Sequence, residues 1–204
     1  MKIMKGIEHS DGCLEIHFNN GRIEWTKNGL PHRENGPAIE YSNGYKQWYK
    51  NGILHRLDGP AVEYPKGFFE WYKDGEYHCE TGPAVNLPEK IEYRINGMLH
   101  REDRPAFKSF EKNSKYQEQW CKNGVHHREN GQAVENPNGS KQYWLNGMLH
   151  KEDGFAIENA DGTGRYFINN VELNKFQWFS LKTKDELEVS LIINEEKKIK
   201  KTKI

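Results

Sequence analysis

Short runs of alternating apolar and polar residues recur along this chain, and turn dipeptides separate them. In the stretch 37–50, Asn43-Gly44 lies between two β-rich segments, and Asn51-Gly52 follows immediately. Asn-Gly supplies the positive φ angles that a tight hairpin requires, and it is the strongest short-range hairpin signal in a sequence. The pattern therefore predicts an all-β fold of successive antiparallel hairpins, with about two strands in each repeat.

The hairpin pattern recurs because six units share the motif NG-x-x-H-R-x-x-G-P-A. The units begin at Trp25, Trp48, Trp71, Tyr93, Trp120 and Tyr143, with start-to-start spacings of 23, 23, 22, 27 and 23 residues. A degenerate seventh unit begins at Tyr166, and Ile16 to Trp25 match the back half of a unit. We therefore divide the chain into an N-terminal half-repeat or cap (1–24), the repeat array (25–173), and a C-terminal cap with a basic tail (174–204).

Three rows of residues at equivalent repeat positions are predicted to form the core. The large-apolar row is Ile39, Val62, Val85, Phe107, Val134 and Ile157, and the aromatic row on the partner strand consists of the seven unit starts. The small-residue row is Ala38, Ala61, Ala84, Ala106, Ala133 and Ala156. The alternative is that part of the aromatic row is exposed and stacks on a ligand.

The period breaks after about Asn174. Thr183 and Glu186 have the spacing of a capping box, which predicts one or two short helices closing the end of the sheet. A strand over Leu187 to Ile193 is the alternative.

Composition excludes several classes of protein. Six Trp, ten Tyr and nine Phe are too many for a disordered chain. Lys+Arg and Asp+Glu balance at 30 each, whereas a general nucleic-acid binder carries a basic excess. The basic run from Lys197 to Lys203 is interpreted as a solvated tail. Three widely spaced cysteines form no CxxC pair, and no apolar run is long enough to span a membrane. We expect a cytoplasmic protein without a metal or cofactor.

The 23-residue period, the hairpin in each unit and the regular glycines and aromatic residues resemble MORN-type repeats. The copies also look like the YKNGxLHRxDGPA arrays of viral and bacterial proteins. The resemblance covers Ile16 to about Leu173. It implies an elongated, twisted sheet of hairpins that contacts proteins or lipids and performs no catalysis. The H-R-x-D-G-P-A stretch and the smaller number of glycines depart from the MORN pattern.

The most regular polar feature is a row of histidines, His32, His55, His78, His100, His127 and His150. A basic residue follows in five of the six units, namely Arg33, Arg56, Arg101, Arg128 and Lys151, with Cys79 as the exception. Equivalent positions in adjacent repeats lie about 9–10 Å apart if each repeat adds two strands. Zinc ligands must all lie within about 2.0–2.3 Å of one ion, so this row alone does not form a metal ladder.

We interpret the histidines and arginines as organisers of the loops. The histidine donates to a carbonyl of its own loop, and the arginine pairs with a neighbouring Glu34, Glu102 or Glu129. The alternative is an exposed basic rail that docks anionic groups, such as a nucleotide phosphate or an acidic peptide.

Positions where the repeat departs from its rule are further candidates for a binding site. The widest departure is the expansion over 111–116, which carries Lys112, Lys115 and Tyr116. Nearby, Arg104 replaces the usual Gly and Arg94 replaces the usual Tyr; the segments 78–81 and 86–90 also deviate. The predicted binding residues are therefore Arg33, Arg56, Arg94, Arg101, Arg104, Arg128, Lys112, Lys115 and Tyr116, with the His and Trp rows as the structural signature.

These observations favour a non-enzymatic scaffold that engages another protein through its repeat face or loops. By the resemblance, it is a viral or mobile-element factor acting on a host protein. The alternative is a binder that sequesters a small anionic, nucleotide-like ligand. A hydrolase or transferase is least favoured for two reasons. The candidate residues Cys79 and His127 each stand at a position that recurs in every repeat, and no G-x-S-x-G, P-loop or GxGxxG sequence is present. The oligomeric state stays open.

Overall fold

The computed structural model describes residues 1–184 and consists almost entirely of short antiparallel strands, followed by a helix over 175–184. The predicted all-β fold of successive hairpins is confirmed. Contacts divide the chain into two compact units, Met1–Val125 and His126–Ile204. Each unit is described below by itself.

The first unit contains the strands β1 to β19 and the first residue of β20, Val125. They are β1 (Ile3–Glu8), β2 (Leu14–Phe18), β3 (Ile23–Lys27), β4 (Leu30–Pro31), β5 (Ile39–Glu40), β6 (Lys46–Gln47), β7 (Tyr49–Lys50), β8 (Ile53–Leu54), β9 (Val62–Glu63), β10 (Phe69–Glu70), β11 (Tyr72–Lys73), β12 (Glu76–Tyr77), β13 (Val85–Leu87), β14 (Lys90–Glu92), β15 (Arg94–Ile95), β16 (Met98–Leu99), β17 (Phe107–Ser109), β18 (Glu118–Gln119), β19 (Cys121–Lys122) and β20 (Val125–His126). A short 3₁₀ turn at Pro65–Gly67 connects β9 to β10.

The strands of the first unit form one main antiparallel ladder with a row of small hairpins. The ladder runs β1-β2-β3-β5-β6-β9-β10-β13-β14-β17-β18. The small hairpins are β3–β4, β7–β8, β11–β12 and β15–β16. Each repeat therefore contributes four short strands, and the prediction of about two strands in each repeat was wrong. It missed that both turn signals of a unit close a hairpin of their own.

The two turns of a repeat differ in backbone conformation. In the small hairpin, Asn51 and Gly52 both have positive φ, 50° and 80°, which is the geometry of a two-residue type I′ turn. In the main turn only Gly44 has positive φ, and the Asn43 side chain accepts the Tyr45 amide at 3.0 Å. The predicted role of Asn-Gly in hairpin formation is confirmed at both places.

One row of directly opposed residues crosses the main ladder and alternates apolar with Gln or Glu. Ile39 lies opposite Gln47, which lies opposite Val62; Val62 in turn lies opposite Glu70. Directly opposed residues share one face of a sheet. The row continues through Val85, Glu92 and Phe107.

The alanine row and four members of the large-apolar row, Ile39, Val62, Val85 and Val134, form the core, as predicted, whereas Phe107, Ile157 and the aromatic row are only half-buried. All six alanines and both Val62 and Val85 are almost completely buried. Trp48 lies between β6 and β7, where its amide donates to the Ala61 carbonyl and its carbonyl accepts from the His55 amide. The aromatic residue thus joins the main ladder to the small hairpin, and the core positions opposite Val62 belong to Gln47 and Glu70.

The second unit repeats this plan. Its strands are β21 (Val134–Glu135), β22 (Lys141–Gln142), β23 (Trp144–Leu145), β24 (Met148–Leu149), β25 (Ile157–Glu158), β26 (Gly164–Ile168) and β27 (Val171–Leu173). The main ladder runs β21-β22-β25-β26, and β23–β24 and β26–β27 are small hairpins, with β26 taking part in both arrangements.

A C-terminal helix was predicted, but its start was misplaced. Asn174 and Gln177 cap the helix reciprocally, because each side chain accepts the other residue's backbone amide at 2.9 Å. Thr183 lies inside the helix and its hydroxyl donates to the Phe179 carbonyl, so it is not the cap. The predicted strand alternative over Leu187 to Ile193 lies outside the described residues. Among the described residues, no helix has the length and apolar character needed to cross a membrane.

Candidate functional site

The histidine row links each repeat to the next one. In every case the Nδ1 atom accepts the backbone amide of the positive-φ residue in the following small hairpin. The six bonds are His32 to Asn51 (3.0 Å), His55 to Asp74 (3.1 Å), His78 to Asn96 (3.2 Å), His100 to Asn123 (3.2 Å), His127 to Asn146 (3.0 Å) and His150 to Asn169 (3.3 Å). We call these bonds the histidine ladder.

Where Nδ1 accepts this amide, the imidazole is neutral with its proton on Nε2. Nδ1 of His55, His100 and His150 also lies 2.8 Å from the side-chain oxygen of Asp74, Asn123 or Asn169, a contact in which a protonated Nδ1 would donate instead. Nε2 of His32 lies 3.3 Å from the Glu34 carboxylate, and the same separation is 3.5 Å for His78 and Glu80. The sequence predicted a histidine that donates within its own loop. That prediction was wrong, since the ladder bond is accepted from a neighbouring repeat about 20 residues later.

In four repeats, the basic residue after the histidine lies over the aromatic ring that begins the same repeat. The cation-to-ring distances are 4.0 Å for Arg33 and Trp25, 4.1 Å for Arg56 and Trp48, 3.7 Å for Arg101 and Tyr93, and 3.8 Å for Lys151 and Tyr143. These side chains therefore cover the aromatic row, which the sequence left as a possible ligand-stacking surface.

The arginines also bind atoms of their own loop. Arg56 donates to Asp58 at 3.0 Å, to Glu63 at 2.8 Å and to the Pro60 carbonyl at 3.2 Å. Arg101 pairs with Asp103, and Arg128 donates to the Gln132 carbonyl. The predicted pairs with Glu34 and Glu102 were wrong, because Glu34 contacts His32 and Glu102 pairs with Lys122.

Consecutive loops enclose polar grooves in the first unit. The larger groove has a volume of about 470 Å³ and lies between the loops 33–36 and 55–58, with Lys50 and Trp48 also lining it. It brings together the predicted binding residues Arg33 and Arg56, alongside Glu34 and Asp58. A second groove of about 290 Å³ contains Arg101 between Cys79 and Asp103.

The remaining predicted binding residues of the first unit lie elsewhere and do not converge. Arg94 in β15 pairs with Glu92 at 2.5 Å and also donates to the Gly97 carbonyl, so its side chain is held between the main ladder and the turn of its own small hairpin. Arg104 is exposed in its loop beside Asp103. Lys112, Lys115 and Tyr116 lie in the expanded turn between β17 and β18, where the Lys115 ammonium is 4.8 Å from the Tyr116 ring.

The structure reveals a surface that the sequence analysis missed. The residue directly after the turn of the small hairpin is apolar and about half exposed in four repeats of the first unit. These residues are Leu30 (49%), Ile53 (50%), Met98 (47%) and Val125 (47%). We call these four side chains the hairpin ridge. The signal was present in the sequence, since Leu, Ile, Met and Val recur at one turn position where polar residues are usual.

Nucleophilic and metal-binding chemistry finds little support in the described residues. All three cysteines are buried and free. Burial raises the pKa of the Cys121 thiol to about 11, which leaves it protonated at neutral pH. Within residues 1–184 no group of three or more His, Cys, Asp or Glu side chains has the arrangement of a metal site.

A comparison of the sequence with profiles of known protein families and with curated proteins finds no match. The function must therefore be inferred from the repeat geometry itself.

Proposed function

We propose that this protein is a non-enzymatic scaffold that binds another protein through the hairpin ridge. The observation that supports the proposal most directly is the half exposure of four apolar side chains at one equivalent repeat position. Single exposed apolar residues are common on protein surfaces, whereas a regular series of them marks an interaction surface.

The repetition also supports binding over catalysis. Catalysis requires one asymmetric set of groups around a reacting atom, whereas the histidines occupy equivalent positions in six repeats. Each of them uses Nδ1 for the histidine ladder, so this nitrogen does not act as a general base at the same time.

The apolar contribution of the hairpin ridge has a modest size. Complete burial of a Leu, Ile, Met or Val side chain gives about 1.5–3 kcal/mol, so four half-exposed side chains offer roughly 3–6 kcal/mol before the entropic cost of association. A dissociation constant of 1 μM corresponds to about 8 kcal/mol, so polar groups beside the ridge must contribute to a stable complex.

A quantitative capture experiment tests the proposal. The immobilised full-length chain and its Ile53→Asp/Met98→Asp variant are incubated with the same cell extract. We expect stoichiometric partners of the natural chain to be lost from the variant, because aspartate does not enter an apolar interface. Met4→Asp is the matched control, since Met4 is 67% exposed in β1, outside both the ridge and the groove between the loops 33–36 and 55–58.

Two outcomes contradict the proposal. One is the absence of any partner that distinguishes the ridge variant from the control. The other is a partner that Met4→Asp abolishes while the ridge variant retains it. Circular dichroism on both variants shows whether the fold is intact.

The groove between the loops 33–36 and 55–58 supports a second candidate function, sequestration of a small anion. Its volume of about 470 Å³ is typical of a ligand site, and Lys50, Arg33 and Arg56 line it. A thermal-shift screen with nucleotides and inorganic phosphate tests this idea. A stabilisation of several degrees that Lys50→Gln removes would favour it, and the absence of any shift would exclude it.

The setting that we propose, a viral or mobile-element protein that acts on a host factor in the cytoplasm, is supported by the resemblance of the repeats to viral and bacterial arrays. The partner captured in the experiment above tests this setting as well.

A further inference from the structure

A series of lysines runs beside the hairpin ridge. Lys27, Lys50, Lys73 and Lys122 precede the turns of four small hairpins in the first unit. Lys50 lies directly opposite Ile53, and Lys27 directly opposite Leu30. Directly opposed residues project from the same face of a two-stranded ribbon, so the hairpins of Lys27 and Lys50 each present one ammonium group next to one apolar side chain. In the hairpin of Lys73 the opposed residue is Glu76.

The ammonium groups of Lys27 and Lys50 are available to a partner. Among residues 1–184 these two form no ion pair, whereas Lys122 pairs with Glu102 at 3.1 Å. Lys50 is exposed and Lys27 is half-buried. Lys73 is exposed as well, but Glu76 lies directly opposite it in the same hairpin. The other acidic side chain of these turns, Asp74, lies with its carboxylate 2.8 Å from Nδ1 of His55.

Neighbouring small hairpins are held at a fixed spacing. The Gly52 amide donates to the Pro31 carbonyl at 2.8 Å, and the Gly75 amide donates to the Leu54 carbonyl at 2.9 Å. Because each repeat adds two strands to the main ladder, equivalent hairpin positions are spaced by about 9–10 Å. An extended peptide advances about 3.3 Å per residue, so every third residue of such a peptide meets an equivalent position.

Resting on the proposed function, we infer that the partner presents an extended acidic segment in which two Asp or Glu residues, three positions apart, pair with Lys27 and Lys50. Apolar side chains between the carboxylates contact Leu30 and Ile53. The apolar half of the surface favours a polypeptide over a nucleic acid, whose backbone offers charge without apolar side chains.

The small hairpin β11–β12 marks the point at which the acidic segment of the partner ends. Glu76 occupies the position that is apolar in the other four hairpins of the first unit. An acidic residue of the partner opposite Glu76 would be repelled, so the acidic pattern stops there. Beyond this hairpin, Ile95 lies opposite Met98 with no lysine, which suits an apolar residue of the partner.

A display selection with random 12-residue peptides on the full-length chain tests the inference. We expect the enriched peptides to carry Asp or Glu at a spacing of three residues with apolar residues between them. Fluorescence polarisation should show binding that is at least about tenfold weaker for Lys27→Glu/Lys50→Glu, since opposed like charges replace two ion pairs. Exchanging the peptide's acids for lysines should restore binding to this variant. Lys66→Glu, an exposed lysine in a main turn, is the matched control and should leave binding unchanged.

The results separate the inference from the proposed function. Neutral or basic peptides that bind and depend on Ile53, as shown by Ile53→Asp, would overturn the acidic segment while the scaffold function stands. Peptides unaffected by both Ile53→Asp and Lys27→Glu/Lys50→Glu, or the absence of enriched peptides, would overturn both. Should Ile53→Asp lose its fold by circular dichroism, Ile53→Thr serves in its place.

Discussion

The backbone amide of Asn51 donates a hydrogen bond to Nδ1 of His32, 3.0 Å away and 19 residues earlier in the chain. Asn51 has a φ of 50°, so the same residue forms the tight turn and the bond to the preceding repeat. The equivalent pair recurs in each of the six histidine-containing repeats. Turn formation and repeat stacking are therefore coupled through one residue.

The His32 acceptor should contribute measurably to stability. His32 is only 4% exposed, and His32→Ala leaves the Asn51 amide without its acceptor. We expect a loss of about 1–3 kcal/mol in the free energy of unfolding, the usual cost of an unsatisfied buried group. Urea denaturation measures this loss, and hydrogen exchange at the Asn51 amide localises it. His17→Ala, which removes a half-buried histidine outside the ladder, is the control. Unchanged protection of the Asn51 amide in His32→Ala would contradict this role.

The conformation of Asn51 predicts a specific order of substitutions. For residues other than Gly, Asn and Asp, the left-handed conformation costs about 1–2 kcal/mol in conformational free energy, whereas Gly adopts it freely. We expect Asn51→Ala to lower the thermal midpoint by several degrees and Asn51→Gly to be close to neutral. Both variants keep the backbone amide, so differential scanning calorimetry isolates the turn strain. Equal midpoints for the two variants would show that the turn geometry does not matter.

Arg56 should stabilise its loop through stacking and hydrogen bonds together. Its guanidinium lies 4.1 Å from the Trp48 ring and donates to the Pro60 carbonyl. Arg56→Ala should lower the free energy of unfolding by about 1–2 kcal/mol, and Arg56→Lys by clearly less, because Lys151 occupies the equivalent position over Tyr143.

Arg104 provides the matched control for Arg56. Its side chain is 72% exposed and lies 3.7 Å from Asp103, so Arg104→Ala should change stability by less than about 0.5 kcal/mol. An equal loss for Arg104→Ala and Arg56→Ala in urea denaturation would refute the importance of the stacked position.

Glu92 predicts a loss of stability in acid. Burial raises the pKa of this carboxyl, but hydrogen bonds from Arg94 and Lys90 outweigh burial and hold the pKa below its ordinary value of 4.5. A carboxylate with a lowered pKa in the folded state adds stability that is complete above pH 4.5 and is lost as the pH falls through the folded-state pKa. Glu92→Gln should therefore be less stable at pH 7 and lose less stability on acidification. A natural chain and variant with parallel pH profiles below 4.5 would contradict this assignment.

The hairpins could be predicted because their signal is local. Asn-Gly favours a tight turn wherever it occurs, so Asn43-Gly44 and Asn51-Gly52 each report a turn without reference to the rest of the chain, although their φ angles differ. The partner of each histidine could not be predicted in the same way. His32 and Asn51 come together only when neighbouring repeats stack, and residue spacing carries no information on which ring nitrogen faces the next turn.

The alternation of apolar residues with Gln and Glu was missed for a different reason. The prediction continued a period of two through the aromatic residue, whereas the chain leaves the main ladder at Trp48. A signal was nevertheless available, since Gln or Glu precedes the aromatic residue in all six full units and Glu24, Gln47 and Glu70 are three of these positions. The Asn174-x-x-Gln177 capping box was equally visible and was passed over for Thr183 and Glu186.

The expanded turn between β17 and β18 lengthens one repeat to 27 residues, yet the His100 bond to Asn123 has the same geometry as its neighbours. Extra length in a main turn is therefore absorbed without shifting the histidine ladder. Main turns are consequently sites that tolerate insertions. An epitope tag or a small folded domain inserted there would extend outward while the stacking of the repeats is preserved. Evolution could lengthen the molecule by whole repeats and decorate it at these turns as two independent operations.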